Sequence, residues 1–243
     1  MKNIKDWKAN KFIFDSKLGE WIPNKSYAGI SNHSYIIASQ QIKYYQRIIS
    51  KHTKGFLLDC GCGDVPYYGI YKDSITDSYC IDWEYSPQQQ IHVDQFVNLN
   101  EKLNISQTFD SIILSDVLEH IAEPQQLLSE LHKLLNPNGK IIIMVPFMYR
   151  LHEEPHDYYR YTEHALKYLL NKSNYSLLEI ESYGGIVDVL FDTLNKGFFN
   201  TNSRSKILNH LYNFISKVGY FSRINNERRY SFPLGYCVVA TKK

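Results

Sequence analysis

The sequence is short of cysteine, of proline and of excess charge of either sign. Its four cysteines in 243 residues are too few and too scattered for a disulfide framework: Cys60 and Cys62 are separated by one residue, and Cys80 and Cys237 stand alone. No Cys-x-x-Cys pair and no histidine cluster at zinc spacing accompanies them, so no metal centre is expected. Eight prolines and twelve glycines form no linker-like tract, and there is no internal repeat. Against 25 acidic residues, 27 basic ones leave a formal charge of +2. That is no basic track, which argues against nucleic acid as the partner. The longest apolar run, Ile141 to Phe147, is far too short to span a bilayer. The opening MKNIKDWKANKF lacks the apolar core of a signal peptide. A reduced, cytoplasmic protein is the expectation.

What is present suffices for a full core: 44% hydrophobic and 21% charged residues lie near globular averages. The length favours one enlarged domain. The aromatic share is high, with 20 tyrosines and 12 phenylalanines. Aromatics serve cores, stacking surfaces and sugar-binding faces alike, so the count alone selects no function.

Residues 1–32 are irregular, basic and aromatic and read as an N-terminal arm or lid. A helix is predicted from about His33 to Lys51, with Ala38, Ile42, Tyr45 and Ile49 on one face. Strands are predicted at Gly55–Cys60, Tyr79–Asp82, His92–Val97 (the weakest), Phe109–Leu114, Lys140–Val145, Ser176–Ser182 and Tyr236–Thr241. Pro124 opens a helix at its tolerated first position, its inward stripe is Leu127, Leu128, Leu131, Leu134 and Leu135, and Asn136-Pro-Asn-Gly139 stops it. Thr162 caps another helix through about Leu170. Strands alternating with helices mean βα units and a doubly wound, mostly parallel α/β sheet. The domain then runs over 33–243, with a helical insertion at about 185–230. Within the insertion Ile207, Leu208, Leu211, Phe214, Ile215 and Val218 are read as one apolar face. It packs as a lid or forms a homodimer. The neighbouring Lys206, Lys217, Arg223, Arg228 and Arg229 allow peripheral membrane contact, a solvated basic face being the plainer reading.

In such sheets ligands bind at the carboxyl ends of the strands, beside the switch point. The first strand ends in Leu57-Leu-Asp-Cys-Gly-Cys-Gly-Asp64. Gly61 and Gly63 let the backbone turn sharply and let a ligand approach. Twenty-one positions after Gly61, the second strand ends in Asp82, placed to accept from both hydroxyls of a ribose. A dinucleotide site needs a third glycine at position 66, which is Pro66. Asp59, two residues before the first glycine, has no use beside a phosphate and good use near a cationic ligand.

These residues resemble the class I S-adenosylmethionine-dependent methyltransferases, in a subgroup with Val-Leu-Glu-His after the fourth strand. The resemblance runs from Gly55 to about Leu170: Leu-Asp-Cys-Gly-Cys-Gly, Cys-Ile-Asp82, Phe109-Asp, Val117-Leu-Glu-His120, Leu134-Leu-Asn-Pro-Asn-Gly139 and Val145-Pro-Phe. Tyr236-Cys-Val-Val-Ala-Thr looks like that fold's closing antiparallel strand. It implies a seven-stranded, Rossmann-like fold that binds S-adenosylmethionine and releases S-adenosylhomocysteine. Asp59, Gly61, Cys62 and Gly63 would then line the methionine side, Asp82 would hold the ribose, and Trp83 would pack on the adenine. Asn98 and Leu99 would lie near the adenine amino group, Asn98 replacing the family's usual acid. Ser115 and Asp116 would border the transferred methyl. Val65 stands where the family often has a third glycine.

Methyl transfer needs an aligned acceptor and a base, and histidine is the natural base near neutral pH. The candidates are His120, His152, His156 and Asp157. His120 faces the cofactor side in the resembling family. The others sit in His152-Glu-Glu-Pro-His-Asp-Tyr-Tyr-Arg-Tyr161, which packs two histidines, three acids, three tyrosines and an arginine into ten residues. An Asp157–Arg160 pair with no chemical role is the plainer alternative. A similar stretch occurs in methyltransferases of glycan and polysaccharide pathways, which points to a small-molecule acceptor with a sugar hydroxyl among the choices. An NAD or nucleotide-sugar enzyme of the same fold, and a non-catalytic cofactor-binding subunit, remain as alternatives.

Overall fold

The computed structural model describes residues 1–28, 30–198 and 202–243. The arm read at 1–32 and the insertion read at 185–230 each include positions outside the described residues, 29 and 199–201. The chain opens with a hairpin of β1 (Phe12–Asp15) and β2 (Glu20–Pro23), then α1 (Tyr35–His52), β3 (Gly55–Cys60), the single turn α2 (Tyr68–Tyr71) and β4 (Ile75–Asp82). After β5 (Gln95–Phe96) come β6 (Phe109–Ser115), α3 (Pro124–Leu134), β7 (Leu135–Pro146), α4 (Glu163–Lys172) and β8 (Tyr175–Tyr183). Three helices follow, α5 (Ile186–Phe198), α6 (Asn202–Ile215) and α7 (Gly219–Arg228), and β9 (Gly235–Lys242) closes the fold.

The main sheet has seven strands in the order β5-β4-β3-β6-β7-β9-β8. Its pairs are parallel except those of β9 with β7 and with β8. This is the doubly wound, Rossmann-like methyltransferase fold. From β3 the chain runs outward through β4 and β5, then returns to place β6 on the other side. The β3/β6 border is therefore the switch point where ligands bind. Alternation along β7 shows why its unbroken apolar run was needed. Ile141, Ile143 and Val145 join the core under α3 and α4, whereas Ile142 and Met144 join the core under α1 with Ile42, Tyr45, Ile48 and Ile49.

One buried carboxylate ties the helices of the insertion to one another and to α1. Asp188 Oδ1 accepts from Tyr212 of α6 at 2.6 Å and from Gln40 of α1 at 3.3 Å. Its Oδ2 accepts from the Gly185 N–H and from Asn225 of α7.

The structure corrects four sequence expectations. The arm is not irregular: it holds the β1/β2 hairpin, whose first residue, Phe12, is buried in the core. Strands of four residues are too short to show a period. The strand read at His92–Val97 shrinks to Gln95–Phe96. Lys140–Val145 extends back to Leu135, which pairs with Phe109 across an irregular register that absorbs the Asn136–Gly139 turn. The apolar face of α6 is two adjoining stripes. Leu208 and Tyr212 are buried against Val187 and Phe191 of α5, while Ile207, Leu211, Phe214 and Val218 lie exposed. Helical stripes one residue apart sit about 100° apart, and a sequence pattern merges them.

Candidate functional site

The turn after β3 is built from left-handed backbone. Gly61 has φ +65°, Gly63 +52° and the β-branched Val65 +50°. A side chain at Gly61 would bring a Cβ within 2.4 Å of Val117 Cγ2, so glycine lets this loop lie directly against the segment after β6. The arm ties the loop down from outside. Trp7 Nε1 donates to the Val65 carbonyl at 3.1 Å, Asn10 to that of Asp64 at 2.6 Å, and Tyr27 Oη to Asp64 Oδ2 at 2.6 Å.

Asp82, at the end of β4, accepts from the Gly63 N–H at 2.6 Å and from the Trp83 N–H at 2.7 Å, one on each carboxylate oxygen. Burial pushes its pKa up, and those two N–H groups work against the rise. Each oxygen keeps a lone pair for a ligand hydroxyl. Asp59 is buried, accepts from Tyr71 Oη at 2.9 Å, and is pushed up to about 7 by burial with the charge of Asp82 adding to it. The Cys62 thiol is held neutral by its hydrogen bond with Cys80 and by burial. Its side chain is buried in the core on the α1 side of the sheet.

The remaining cofactor candidates divide. Ser115 and Asp116 sit at the end of β6, where Ser115 Oγ donates to Asp116 Oδ2 at 3.3 Å. Asp116 Oδ1 accepts from Gln41 and Tyr45 of α1. Trp83 is partly exposed and meets His156 edge-on at 5.3 Å. Asn98 is turned to its own loop, with Nδ2 on Glu101 and Oδ1 on the Asn100 N–H. Leu99 is buried in the core.

Beside the glycine loop stands a cluster that sequence reading singled out only in part. Val117 leads into a 3-10 turn, Leu118–His120, which swings Glu119 inward to full burial. Neither Glu119 carboxylate oxygen has a hydrogen-bond partner among the described residues beyond the residue's own backbone N–H. His120 Nε2 lies 3.8 Å and His152 Nε2 3.9 Å from Glu119 Oε1. The two imidazoles meet edge-on with centroids 4.7 Å apart. Each ring nitrogen on the far side has an acceptor. His120 Nδ1 is 2.7 Å from the His156 carbonyl and His152 Nδ1 is 3.2 Å from Asp157 Oδ2. Arg160 Nη2 also lies 3.4 Å from His152 Nδ1; in the tautomer that donates from Nδ1 the lone pair is on Nε2, and both lone pairs then face the carboxylate. Burial, then the nearby charge of Asp116, pushes the Glu119 pKa well up. Burial, with His120 adding, lowers that of His152 and keeps it neutral.

The segment after β7 is held in place by Arg160. Its guanidinium grips Asp157 through both terminal nitrogens at 2.6 and 2.7 Å, and also donates to the carbonyls of Tyr149, Arg150 and Tyr159. Burial alone would raise the Asp157 carboxyl; Arg160 and the His152 N–H hold it well below the carboxylate range. Asp157 is thus a permanent anion aligning His152, while His156 is exposed with Nδ1 3.1 Å from Tyr158 Oη. The fold brings His120, His152 and Asp157 together and sets His156 on the rim beside Trp83. A cleft of about 350 Å³ lined by Met148, Tyr149, Arg150, Asp192, Lys196 and Gly197 adjoins the cluster through Tyr149, whose ring meets His152 at 5.1 Å.

Glu119 was missed as a site residue because, within Val-Leu-Glu-His, nothing local distinguishes an inward carboxylate from an outward one. Its signal was its place just beyond a strand's carboxyl end. The absence of ligand spacing was equally blind, since the three side chains are joined across 33 positions.

A family model described as a methyltransferase domain matches residues 37–180, the span from α1 to β8 that contains every candidate above. No curated protein matches the chain. Among solved structures, it resembles a SAM-dependent methyltransferase from Archaeoglobus fulgidus with TM-score 0.55 at 16% identity, over 86% of this chain and 97% of that one. It resembles an S-adenosylmethionine-dependent methyltransferase from Mesorhizobium loti with TM-score 0.54 at 14% identity, over 85% and 100%. Phosphoethanolamine N-methyltransferase 2 of Haemonchus contortus, solved with S-adenosyl-L-methionine, aligns with TM-score 0.51 at 15% identity, over 87% of this chain and 56% of that one. At such identities the likeness is one of fold.

Proposed function

The chain belongs to the methyltransferase-domain family across residues 37–180, and from that premise we propose that it moves the methyl group of S-adenosylmethionine to a hydroxyl oxygen of a small polar acceptor. One juxtaposition supports this reading above others: the glycine loop and the Glu119–His120–His152 cluster share a wall. Val117 fills the space where a Gly61 side chain would be, and Trp83 touches His156. A donor on one side and an acceptor on the other would meet there.

The residues present fit the cofactor. The Gly61–Gly63 backbone leaves room that a Cβ would fill, and two buried acids, Asp59 and Asp82, suit a ligand with a cationic end and a diol. When bound, S-adenosylmethionine supplies an electrophilic methyl on a sulfonium. Asp82 would accept from the ribose hydroxyls and Asp59 would face the methionine end, with Trp83 beside the adenine. The acceptor hydroxyl would be deprotonated at the cluster, with Asp157 fixing the orientation of His152. Tyr158 and Tyr159 on the rim offer the flat, polar-edged faces on which sugars stack. In the cleft Lys196 is paired with Asp192, which leaves the charge of Arg150 to favour an anionic or phosphorylated sugar over a neutral one.

Calorimetric titration with S-adenosylmethionine and S-adenosylhomocysteine tests the cofactor, and labelled methyl transfer to a panel of sugars and nucleotide sugars tests the acceptor. Absence of binding by either compound to folded protein would remove this reading. Asp82→Ala should weaken cofactor binding by about 1–3 kcal/mol, the cost of hydroxyls left unpaired.

Asp59 adds a pH signature. Its folded pKa of about 7 lies above the ordinary carboxylate value, so its contribution to stability is full at low pH and is lost as pH rises through about 7. A cation beside it favours the anion. Binding at pH 7 should therefore release up to about half a proton, seen as a binding enthalpy that varies with the ionisation enthalpy of the buffer. In Asp59→Asn that dependence should vanish.

A further inference from the structure

We propose that Glu119, His120 and His152 form a binding site for a divalent transition-metal ion, on which the acceptor hydroxyl docks and loses its proton. Its part in methyl transfer rests on the function proposed above; the binding of the ion does not.

Three observations carry it. Glu119 is fully buried and, among the described residues, neither of its carboxylate oxygens has a hydrogen-bond partner beyond its own backbone N–H. A buried carboxylate without partners is costly unless a cation completes it. The groups that face it are imidazole Nε2 atoms at 3.8 and 3.9 Å, acceptors as well, because both rings direct Nδ1 at an oxygen. One carboxyl oxygen and two imidazole nitrogens converge on one point from three sides. The surrounding contacts are those of metal-ligating histidines, whose second nitrogen donates to a carbonyl or a carboxylate. Here the carbonyl is that of His156 and the carboxylate is Asp157, itself fixed by Arg160.

Spacing and donor type select the ion. With metal–ligand bonds of about 2.1 Å, one ion bridges atoms up to about 4.2 Å apart. Both Glu–His separations fall inside that limit; the three ligand atoms lie within 4.8 Å of one another, and a small turn of the imidazoles would bring all three onto one ion. Two imidazoles and one carboxylate suit zinc, manganese or iron(II), and leave positions open for a substrate oxygen. Calcium and magnesium prefer oxygen alone. In the reaction, the acceptor oxygen would displace water from the ion, which lowers the hydroxyl pKa. The proton would pass to Glu153, whose exposed carboxylate lies 3.8 Å from His120 Nε2, and from there to solvent. The new C–O bond forms as the S–C bond of the sulfonium breaks, and S-adenosylhomocysteine leaves neutral at sulfur.

Cobalt(II), with its visible absorption, is the probe. Chelator-treated, folded protein should bind one Co²⁺ per chain and develop a ligand-field band that Zn²⁺ displaces. Glu119→Gln, nearly the same shape, and His152→Ala should each weaken Co²⁺ binding at least 100-fold (about 2.8 kcal/mol at about 1.4 kcal/mol per tenfold). Asp157→Asn should weaken it about 10–100-fold through the orientation of His152. Circular dichroism confirms that each variant is folded. A parent protein without the band, or a band unchanged in both ligand variants, overturns the site. Cobalt binding without methyl transfer to any acceptor would uphold the site and count against the function proposed above. Methyl transfer undiminished by chelation would uphold that function and overturn the ion's role.

Discussion

His152→Ala should reduce turnover about 10²–10⁴-fold, the range for losing a group on which removal of the acceptor's proton depends, and should leave cofactor affinity unchanged. The imidazole lies between Asp157 and Glu119, 3.2 Å from the one and 3.9 Å from the other, so its removal empties the centre of the cluster. It does not touch the glycine loop or Asp82. Asp157 keeps both bonds from Arg160 in the variant, so the fold should survive. Single-turnover methyl transfer at saturating cofactor measures the effect. His156→Ala is the matched control: its ring is exposed and engages Tyr158, so its loss should cost much less. An equal or larger loss at 156 would move the site of deprotonation from the cluster to His156.

Arg160→Ala should cost about 3 kcal/mol or more of stability. Removing one partner of a buried ion pair leaves an uncompensated charge, at about 3–5 kcal/mol, and the Asp157 side chain is 1% exposed. Arginine also holds three backbone carbonyls of the 149–160 segment. Lysine offers no planar fork to replace it, so Arg160→Lys should recover little. A urea midpoint equal to the parent's would show that the segment stands without its clamp. A shifted midpoint with intact α/β circular dichroism would place the damage in the segment.

The parts of this molecule legible in its sequence are those whose cause is local. The Leu57–Asp64 strand and turn, the Pro124 helix start and the Thr162 cap each lie within a few residues of their own explanation, and each stands where it was read. Thr162 Oγ1 accepts from the Ala165 N–H as a capping threonine should. The α6 stripe was half legible, because periodicity shows that a face is apolar but not which neighbour covers it. Glu119 was illegible as a site residue. Its burial is set by the turn after β6, and its neighbours come from the segment after β7. Asp157 shows the same limit in reverse: the sequence offered it both as a base and as a partner of Arg160, and of the two the structure shows the pairing, through two bonds from that guanidinium.

The place of β9 has a consequence for how the protein is made. Its residues, Gly235–Lys242, are translated after everything they join, yet they lie between β7 and β8 and are the only link between them in the sheet. Until they emerge, the nascent chain carries β8 as a ribbon with no sheet to enter and β7 with an unpaired apolar edge, the kind of edge that pairs with other chains. At about 5–20 residues per second, the helices of the insertion delay that closure by several seconds. A ribosome halted before Gly235 would release a chain whose cofactor-side strands are complete and whose other flank is open to aggregation.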